Sequence, residues 1–103
     1  MIKEIKNNDL EAINSTELAI VDFNATWCGP CRMLAPILEE LSEEFTDIPF
    51  YACDVDQNME LAVKYNIQSI PAVGFFRKGQ LVDLAVGFRS KDAMKALIEA
   101  ENV

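Results

Sequence analysis

The sequence predicts an α/β domain with a mixed β-sheet and helices on both of its faces. Short apolar runs rich in β-branched and aromatic residues alternate with segments whose apolar residues recur at helical spacing. The resulting order is β-α-β-α-β-α-β-β-α. Strands joined through a helix form parallel crossovers, so the early strands should be parallel. The last two strands are separated only by Lys78-Gly79 and should form an antiparallel hairpin.

The first half of the chain predicts three strands and two helices. Met1–Lys6 alternates between polar and apolar residues, as a strand does, and the polar residues after it suit a helix cap for a short helix over Leu10–Thr16. Leu18–Asn24 is mostly apolar and predicts a buried strand. A long amphipathic helix then ends near Phe45, and Ile48–Val55 predicts the next strand.

The second half predicts a helix, a hairpin and a final helix. Asp56 is the expected N-cap of a helix that runs to about Tyr65. Ala72–Arg77 and Gln80–Val86 are the two strands of the hairpin. Ser90 is the expected N-cap of the last helix. The apolar side of that helix is formed by Ala93, Met94, Leu97 and Ile98.

Length, composition and charge limit the classes of protein to which this chain can belong. With 103 residues, half of them hydrophobic, we expect a single domain over 1–103 with a core of its own. A net charge of −8 argues against nucleic acid as a partner, because phosphate binding needs clustered Lys and Arg. No apolar run approaches the ~20 residues of a membrane span, and the N-terminus lacks a signal-peptide core. We therefore expect a cytoplasmic monomer with no membrane partner.

The stretch Trp27-Cys28-Gly29-Pro30-Cys31 carries the chemistry. Two cysteines at this spacing can close a small disulfide ring or supply half of a metal site. Cys28 falls at or just before a helix start, where unpaired backbone N–H groups and the helix dipole favour a thiolate. Zinc needs four ligands, whereas the chain has no histidine and only one further cysteine, Cys53. An iron–sulfur cluster fails on the same count, so redox chemistry is favoured and Cys53 is expected to be a buried packing residue.

Almost the whole chain resembles the thioredoxin family. The matching residues are Val21-Asp22-Phe23, Ala25-Thr26-Trp27-Cys28-Gly29-Pro30-Cys31, Pro36, Asp56-Gln57-Asn58, Ile70-Pro71 and Gly87. A bare CxxC is weak evidence, but WCGPC with an acid six residues before its first cysteine and Ile-Pro about forty residues later is specific.

This resemblance implies a five-stranded mixed sheet flanked by four helices. It also implies a protein-disulfide reductase with no bound cofactor, whose redox group is the Cys28–Cys31 disulfide. The partners implied are disulfide-containing target proteins and a thioredoxin reductase that draws electrons from NADPH, or a ferredoxin-linked reductase.

The resemblance also implies a role for each residue around the dithiol. Cys28 would attack the target disulfide, and Cys31 would resolve the mixed disulfide that forms. Asp22 would act as the general base toward Cys31, although an acid near a strand end can also simply reach water. Gly29 and Pro30 would set the geometry of the ring and the balance between thiolate and disulfide.

A docking surface is implied beside the sulfurs. Thioredoxins hold the proline at Pro71 in the cis form, and the backbone of Ile70 would pair with an extended substrate segment. Trp27 and Gly87, together with Ile70 and Pro30, would complete an apolar platform.

Several positions depart from the family's usual residues. A lysine in the following strand often pairs with the buried acid, and Ala52 occupies that position here. Without that lysine, Asp22 should have a raised pKa. Asn24 occupies a position that is often aromatic in the family, and Arg32 occupies one that is commonly lysine. Gly74 interrupts a strand.

Two other functions remain open at the level of the sequence. An oxidase or isomerase would use the same dithiol at a higher reduction potential. A binding module, such as a processivity or chaperone subunit, would use the platform without turnover.

Overall fold

One five-stranded sheet organises the structure. A computed structural model describes all of residues 1–103. The strands are β1 (Ile2–Glu4), β2 (Ala19–Asn24), β3 (Phe50–Asp54), β4 (Ala72–Arg77) and β5 (Gln80–Val86). Their order is β1-β3-β2-β4-β5. β3 pairs in parallel with β1 and β2, whereas β4 pairs antiparallel with β2 and β5. The predicted mixed sheet, with parallel crossovers first and a hairpin last, is therefore confirmed.

Three α-helices are present rather than the four predicted. They are α1 (Gly29–Glu44), α2 (Met59–Lys64) and α3 (Lys91–Glu101). The segment predicted as a first helix forms a 3-10 helix over Glu11–Ser15, and no side chain caps its start. Five residues are too few to sustain an α-helix without caps, and 3-10 geometry is typical of such short pieces. No helix has both the length and the apolar character needed to cross a bilayer.

The helices cover both faces of the sheet, and each face has its own core. Alternate residues of a strand point to opposite faces, so Ile20 and Val21 belong to different cores. The first core, beneath α1 and α3, is built mainly from Ile20, Leu34, Leu38, Leu41, Phe50, Val73, Phe75, Met94 and Ile98. The second, beneath α2 and the 3-10 helix, is built mainly from Ile13, Val21, Phe23, Tyr51, Cys53, Leu61 and Phe76.

The start of α2 differs from the prediction. The helix begins at Met59, after Asn58, so Asp56 is not its N-cap. The carboxylate of Asp54 accepts hydrogen bonds from the backbone N–H groups of Asp56 (2.8 Å) and Gln57 (3.3 Å). These bonds form a turn that delays the helix by two residues and leaves the Asp56 side chain free for another partner.

The cap of α2 comes from the N-terminal loop. Asn8 Oδ1 accepts hydrogen bonds from the backbone N–H groups of Glu60 (3.1 Å) and Leu61 (3.3 Å). Asn58 is fully buried and completes the junction: its Oδ1 accepts from Asn8 N (2.9 Å) and its Nδ2 donates to the Ile5 carbonyl (3.2 Å). The loop after β1 and the start of α2 are therefore held together by paired amides.

The hairpin turn and the cap of the last helix follow the prediction. Lys78 and Gly79 both have positive φ angles, 50° and 83°, as a two-residue hairpin turn requires. Ser90 Oγ accepts a hydrogen bond from the Ala93 N–H (3.3 Å) and caps α3.

Gly74 makes room for aromatic side chains in the second core. A Cβ added at this residue would lie 2.8 Å from Phe76 Cε1, 3.1 Å from Leu81 Cδ1 and 3.3 Å from Phe23 Cε2. Both phenylalanines are fully buried, so neither ring can withdraw freely. The absence of a side chain in the middle of β4 is thus a packing requirement.

Replacing Gly74 with alanine should lower the free energy of unfolding by about 1–3 kcal/mol, because the added methyl overpacks the core. Urea denaturation of the oxidised protein measures this. Gly29→Ala is the matched control, since a Cβ there meets nothing within 4 Å. Equal stability of the Gly74→Ala variant and the parent would contradict the packing interpretation.

Candidate active site

The two cysteines lie where β2 passes into α1. Cys28 is the N-cap residue of α1, as predicted, and forms a disulfide with Cys31 across a Cα–Cα distance of 5.2 Å. The backbone N–H of Cys31 donates to Cys28 Sγ at 3.3 Å. Gly29 and Pro30 occupy the first turn of the helix, where the missing N–H of proline leaves no bond unmade. The helix start therefore directs the Cys31 N–H, which has no partner within the helix, at the sulfur of Cys28.

The disulfide is embedded in a small apolar cluster. Cys28 is 5% exposed and Cys31 is 3% exposed. Both pack with Ala25, and Val55 and Ile70 pack against them from the sides. Cys28 Sγ lies 4.0 Å from the Ile70 carbonyl oxygen. Cys28 therefore contacts Ile70, the residue before Pro71. Both belong to the surface on which substrates are expected to dock.

Pro71 and Gly87 reach the same end of the sheet through strand direction. β4 runs antiparallel to β2 and β5, so the start of β4 lies beside the ends of the other two strands. The Ile70–Pro71 peptide bond is cis, as the resemblance implied. The Gly87 N–H donates to the Pro71 carbonyl at 2.8 Å, with Gly87 at φ 96°. Glycine adopts this angle without strain.

Trp27 is held over this end of the molecule by a long-range hydrogen bond. Its side chain is 68% exposed, and its Nε1–H donates to Asp56 Oδ2 at 2.8 Å. Sequence reasoning assigned Asp56 to a helix cap and missed this contact. No local pattern could have revealed it, because the two residues are 29 positions apart.

Asp22 lies on the α1 side of the sheet, in register with residues of two other strands. In the parallel ladder, Ala52 of β3 pairs with Asp22 of β2 on one side and with Glu4 of β1 on the other. Paired residues of neighbouring strands point to the same face, so these three form one row. Asp22 is 4% exposed, which excludes the alternative of an acid that simply reaches water.

The Asp22 carboxyl lacks the partners that a buried charge requires. Burial raises its pKa from 3.8 to about 7, and a hydrogen bond from Asn24 Nδ2 (3.4 Å to Oδ2) opposes this rise in part. Asp22 Oδ1 has no hydrogen-bond partner, and Asp22 forms no ion pair. The raised pKa expected from the sequence is confirmed, and its main cause is desolvation.

A cleft of about 330 Å³ brings Asp22 and Cys31 together. Both residues line it, as does Arg32, whose Nη1 donates to the Thr26 carbonyl at 3.0 Å. The cleft lies on the α1 side of the sheet, behind the disulfide. An acid with a pKa near neutrality and the second cysteine therefore line the same cleft.

Cys53 lies on the opposite face of the sheet, in the second core. It is fully buried, and burial raises the pKa of its thiol to about 12. A thiol with this pKa stays protonated at neutral pH and is inert as a nucleophile. Cys53 is a packing residue, as predicted. No three His, Cys, Asp or Glu side chains come together in a way that could hold a metal ion.

Comparison with known proteins gives a consistent family. The thioredoxin family model matches residues 2–100. Thioredoxin from Mycoplasmoides gallisepticum is 42% identical over 100 residues, covering 95% of this chain and 100% of the relative. Thioredoxin from Bacillus subtilis is 40% identical over 98 residues, covering 94% of each chain. A thioredoxin structure from Plasmodium falciparum has a TM-score of 0.89 at 39% identity, covering 96% of this chain and 98% of the other.

Asp22→Asn should remove a pH-dependent penalty on folding. Between pH 4 and 7 the unfolded carboxyl ionises while the folded one stays protonated, so the parent protein loses stability as the pH rises. Above about pH 7 the loss is complete, and the pKa difference corresponds to about 4 kcal/mol. Asparagine does not titrate, so the variant should be the more stable protein at pH 8.

Urea denaturation of both oxidised proteins from pH 4 to 9 checks this expectation. The difference in unfolding free energy should grow between pH 4 and 7 and then level off. A difference that is the same at every pH would show that Asp22 titrates normally in the folded state.

Proposed function

This chain belongs to the thioredoxin family, and on that basis we propose how its residues divide the work of protein-disulfide reduction. The protein is a thiol–disulfide oxidoreductase, and its redox group is the Cys28–Cys31 pair. The observation that carries the assignment of roles is the position of this pair at the start of α1, with Asp22 behind it and the Ile70–Pro71 segment beside it.

Cys28 is the attacking residue. In the reduced protein its thiolate is stabilised by the helix start, including the Cys31 N–H that already donates to its sulfur at 3.3 Å. It attacks one sulfur of the target disulfide, a new Cys28–target disulfide forms, and the other target sulfur leaves as a thiolate. Gly29 and Pro30 tune this step, because they fix the turn that sets the distance between the two sulfurs.

Cys31 resolves the mixed disulfide. Its thiol gives a proton to the Asp22 carboxylate through the cleft that both residues line, and the resulting thiolate attacks Cys28 Sγ. The Cys28–Cys31 disulfide forms, and the second target sulfur leaves as a thiolate. The target gains two electrons and the protein loses two. A pKa of about 7 suits Asp22 to this role, since it can accept and release a proton at neutral pH.

Targets dock on the surface made by Trp27, Ile70, Pro71 and Gly87. Support comes from the exposed indole, from the contact of the Ile70 carbonyl with Cys28, and from the Gly87–Pro71 hydrogen bond that places these residues side by side. An extended target segment can pair with the backbone at Ile70 and so bring its disulfide to Cys28. The hydrogen bond to Asp56 limits the directions in which the Trp27 ring can turn.

The oxidised protein needs a reductant after each cycle. We assign this to a thioredoxin reductase that draws electrons from NADPH, or to a ferredoxin-linked reductase, and we place the protein in the cytoplasm, where such reductases maintain free thiols. An isomerase would require a dithiol potential well above about −200 mV, so a measured potential separates the two activities.

A cysteine series tests the assignment. The parent protein should accelerate the precipitation of insulin by dithiothreitol, and Cys28→Ser should abolish this because the thiol that attacks the target disulfide is gone. Cys31→Ser should form a Cys28–target mixed disulfide that persists and is seen by mass spectrometry. Cys53→Ser is the matched control and should keep full activity. A Cys28→Ser, Cys31→Ser protein that retained its biological activity would instead support a binding module.

The role of Asp22 has a kinetic signature. Reaction of the reduced protein with the aromatic disulfide DTNB releases one thiolate on attack by Cys28 and a second on resolution by Cys31. The resolution rate should rise between pH 6 and 8 in the parent protein, as Asp22 ionises. In Asp22→Asn it should be slower by about 100-fold at pH 8, within the usual range for a lost general base.

Stopped-flow absorbance resolves the two phases, and the attack phase serves as an internal control. Coincident resolution rates in the two proteins across this pH range would remove Asp22 from the mechanism.

A further inference from the structure

The cleft behind the disulfide owes its volume to small residues on both walls. One wall is the row formed by Glu4, Ala52 and Asp22 on the sheet. The other is one side of α1, where Ala35 and Glu39 recur at a spacing of four and therefore point the same way. Because Ala35 and Ala52 carry only a methyl group, the walls do not meet, and about 330 Å³ stays open.

The charges around this space are unbalanced. Asp22 and Glu4 line the cleft, and neither forms an ion pair. Arg32 is the only basic side chain in the lining, and its guanidinium donates to the Thr26 carbonyl instead of to a carboxylate. When Asp22 ionises, two carboxylates thus face a cleft in which neither is paired with a cation.

The remaining groups near Asp22 do not correct this imbalance. Glu39, on α1, adds a third carboxylate, and the Met1 ammonium lies 3.8 Å from its Oε1 in a pair exposed to solvent. Cys31 is neutral in the disulfide, and Cys53 across the sheet stays protonated up to a pKa of about 12. Asn24 offers only its amide.

The shape and lining of the cleft select the kind of cation. No three ligating side chains converge as a metal ion would require. The apolar part of the lining is hydrocarbon from Ile2, Ala25, Ala35 and Ala52, and Ala52 lies between Glu4 and Asp22 in the row. A cation with an apolar stem satisfies both features, because its charge can meet a carboxylate while its methylenes cover the alanines.

We propose that this cleft binds a short aliphatic amine, with one ammonium group on the Asp22 carboxylate and the alkyl chain between Ala35 and Ala52. In a diamine the second ammonium group reaches Glu4, which lies two strands away in the same row, about 10 Å between backbones. A lysine side chain offers the same chemistry with a single ammonium group. Binding favours the ionised form of Asp22, so the protonation state of this carboxyl depends on the amine concentration.

The experiment measures the pKa of Asp22 from the NMR shift of its carboxyl carbon in the oxidised protein. With 1,4-diaminobutane at ten times its dissociation constant, the pKa should fall by about 1, as linkage requires for a ligand that binds only the ionised form. Sodium chloride at the same ionic strength should lower it much less. An equal fall with sodium chloride would mean simple screening and would overturn the proposal.

Variants locate the site. Ala52→Leu fills the cleft and should abolish the effect of the amine. Glu4→Gln should weaken the binding of 1,4-diaminobutane by about threefold to fivefold, in the range of a lost exposed ion pair. Glu43→Gln removes the same charge outside the cleft and is the matched control. Unchanged binding in both Ala52→Leu and Glu4→Gln would refute the site, and Glu4→Gln keeps the test valid if Ala52→Leu fails to fold.

A second ligand tests whether the ammonium group comes from a free diamine or from a lysine side chain of a partner protein. N-acetyl-lysine methylamide presents one ammonium group and should be insensitive to Glu4→Gln, whereas 1,4-diaminobutane should be sensitive. Tighter binding of the lysine derivative would indicate a side chain of a partner protein as the natural ligand. These readouts do not involve disulfide reduction, so their failure would leave the proposed function standing, and failure of the proposed function would leave the cleft's ligand unaffected.

Discussion

The burial of an acid without a cation beside the redox pair is the constraint on which the rest of the structure depends. Asp22 sits in β2, between two other strands and under α1, where it is 4% exposed and its charge is poorly solvated. Desolvation moves the pKa of its carboxyl to about 7. A solvent-exposed aspartate would stay ionised at neutral pH and would bind protons too weakly to exchange them there. The two cores on either side of the sheet must provide the stability that tolerates this group, since domains of this size have only about 5–15 kcal/mol in total.

The sulfurs depend on the same strand for their position. β2 leads from Asp22 to the loop that holds Ala25 and Trp27, and that loop ends at the N-cap of α1. The strand places the acid and the helix start places Cys28, so the spacing between acid and dithiol is fixed by a single short piece of chain. The antiparallel β4 and β5 return to this end of the sheet from the other side and bring Pro71 and Gly87 with them.

Much of this could be read from the sequence because it is local. Periodicity predicted the strands, the hairpin and the mixed sheet, and an acid within an apolar run predicted the buried Asp22. The first helix was overpredicted, because capping residues before Leu10–Thr16 suggested an α-helix where only a 3-10 turn forms. Contacts between distant side chains left no pattern. The Trp27–Asp56 bond joins residues 29 apart, and the Asn8 cap of α2 spans 52 positions. The cleft was equally invisible, since it arises from two alanines on separate elements.

The pairing of Asn8 with Asn58 has a consequence that reaches the redox surface. It ties the segment after β1 to the start of α2, and the turn that holds Asp56 lies directly before that start. The first ten residues and α2 should therefore open as one cooperative unit in the native ensemble, with their amide protons exchanging together. Asp56 itself is held from the end of β3 by Asp54, so the acceptor of the indole lies at the boundary between this unit and the rest of the sheet. An opening that starts at the N-terminus, far from either sulfur, thereby extends to the neighbour of the turn that orients Trp27.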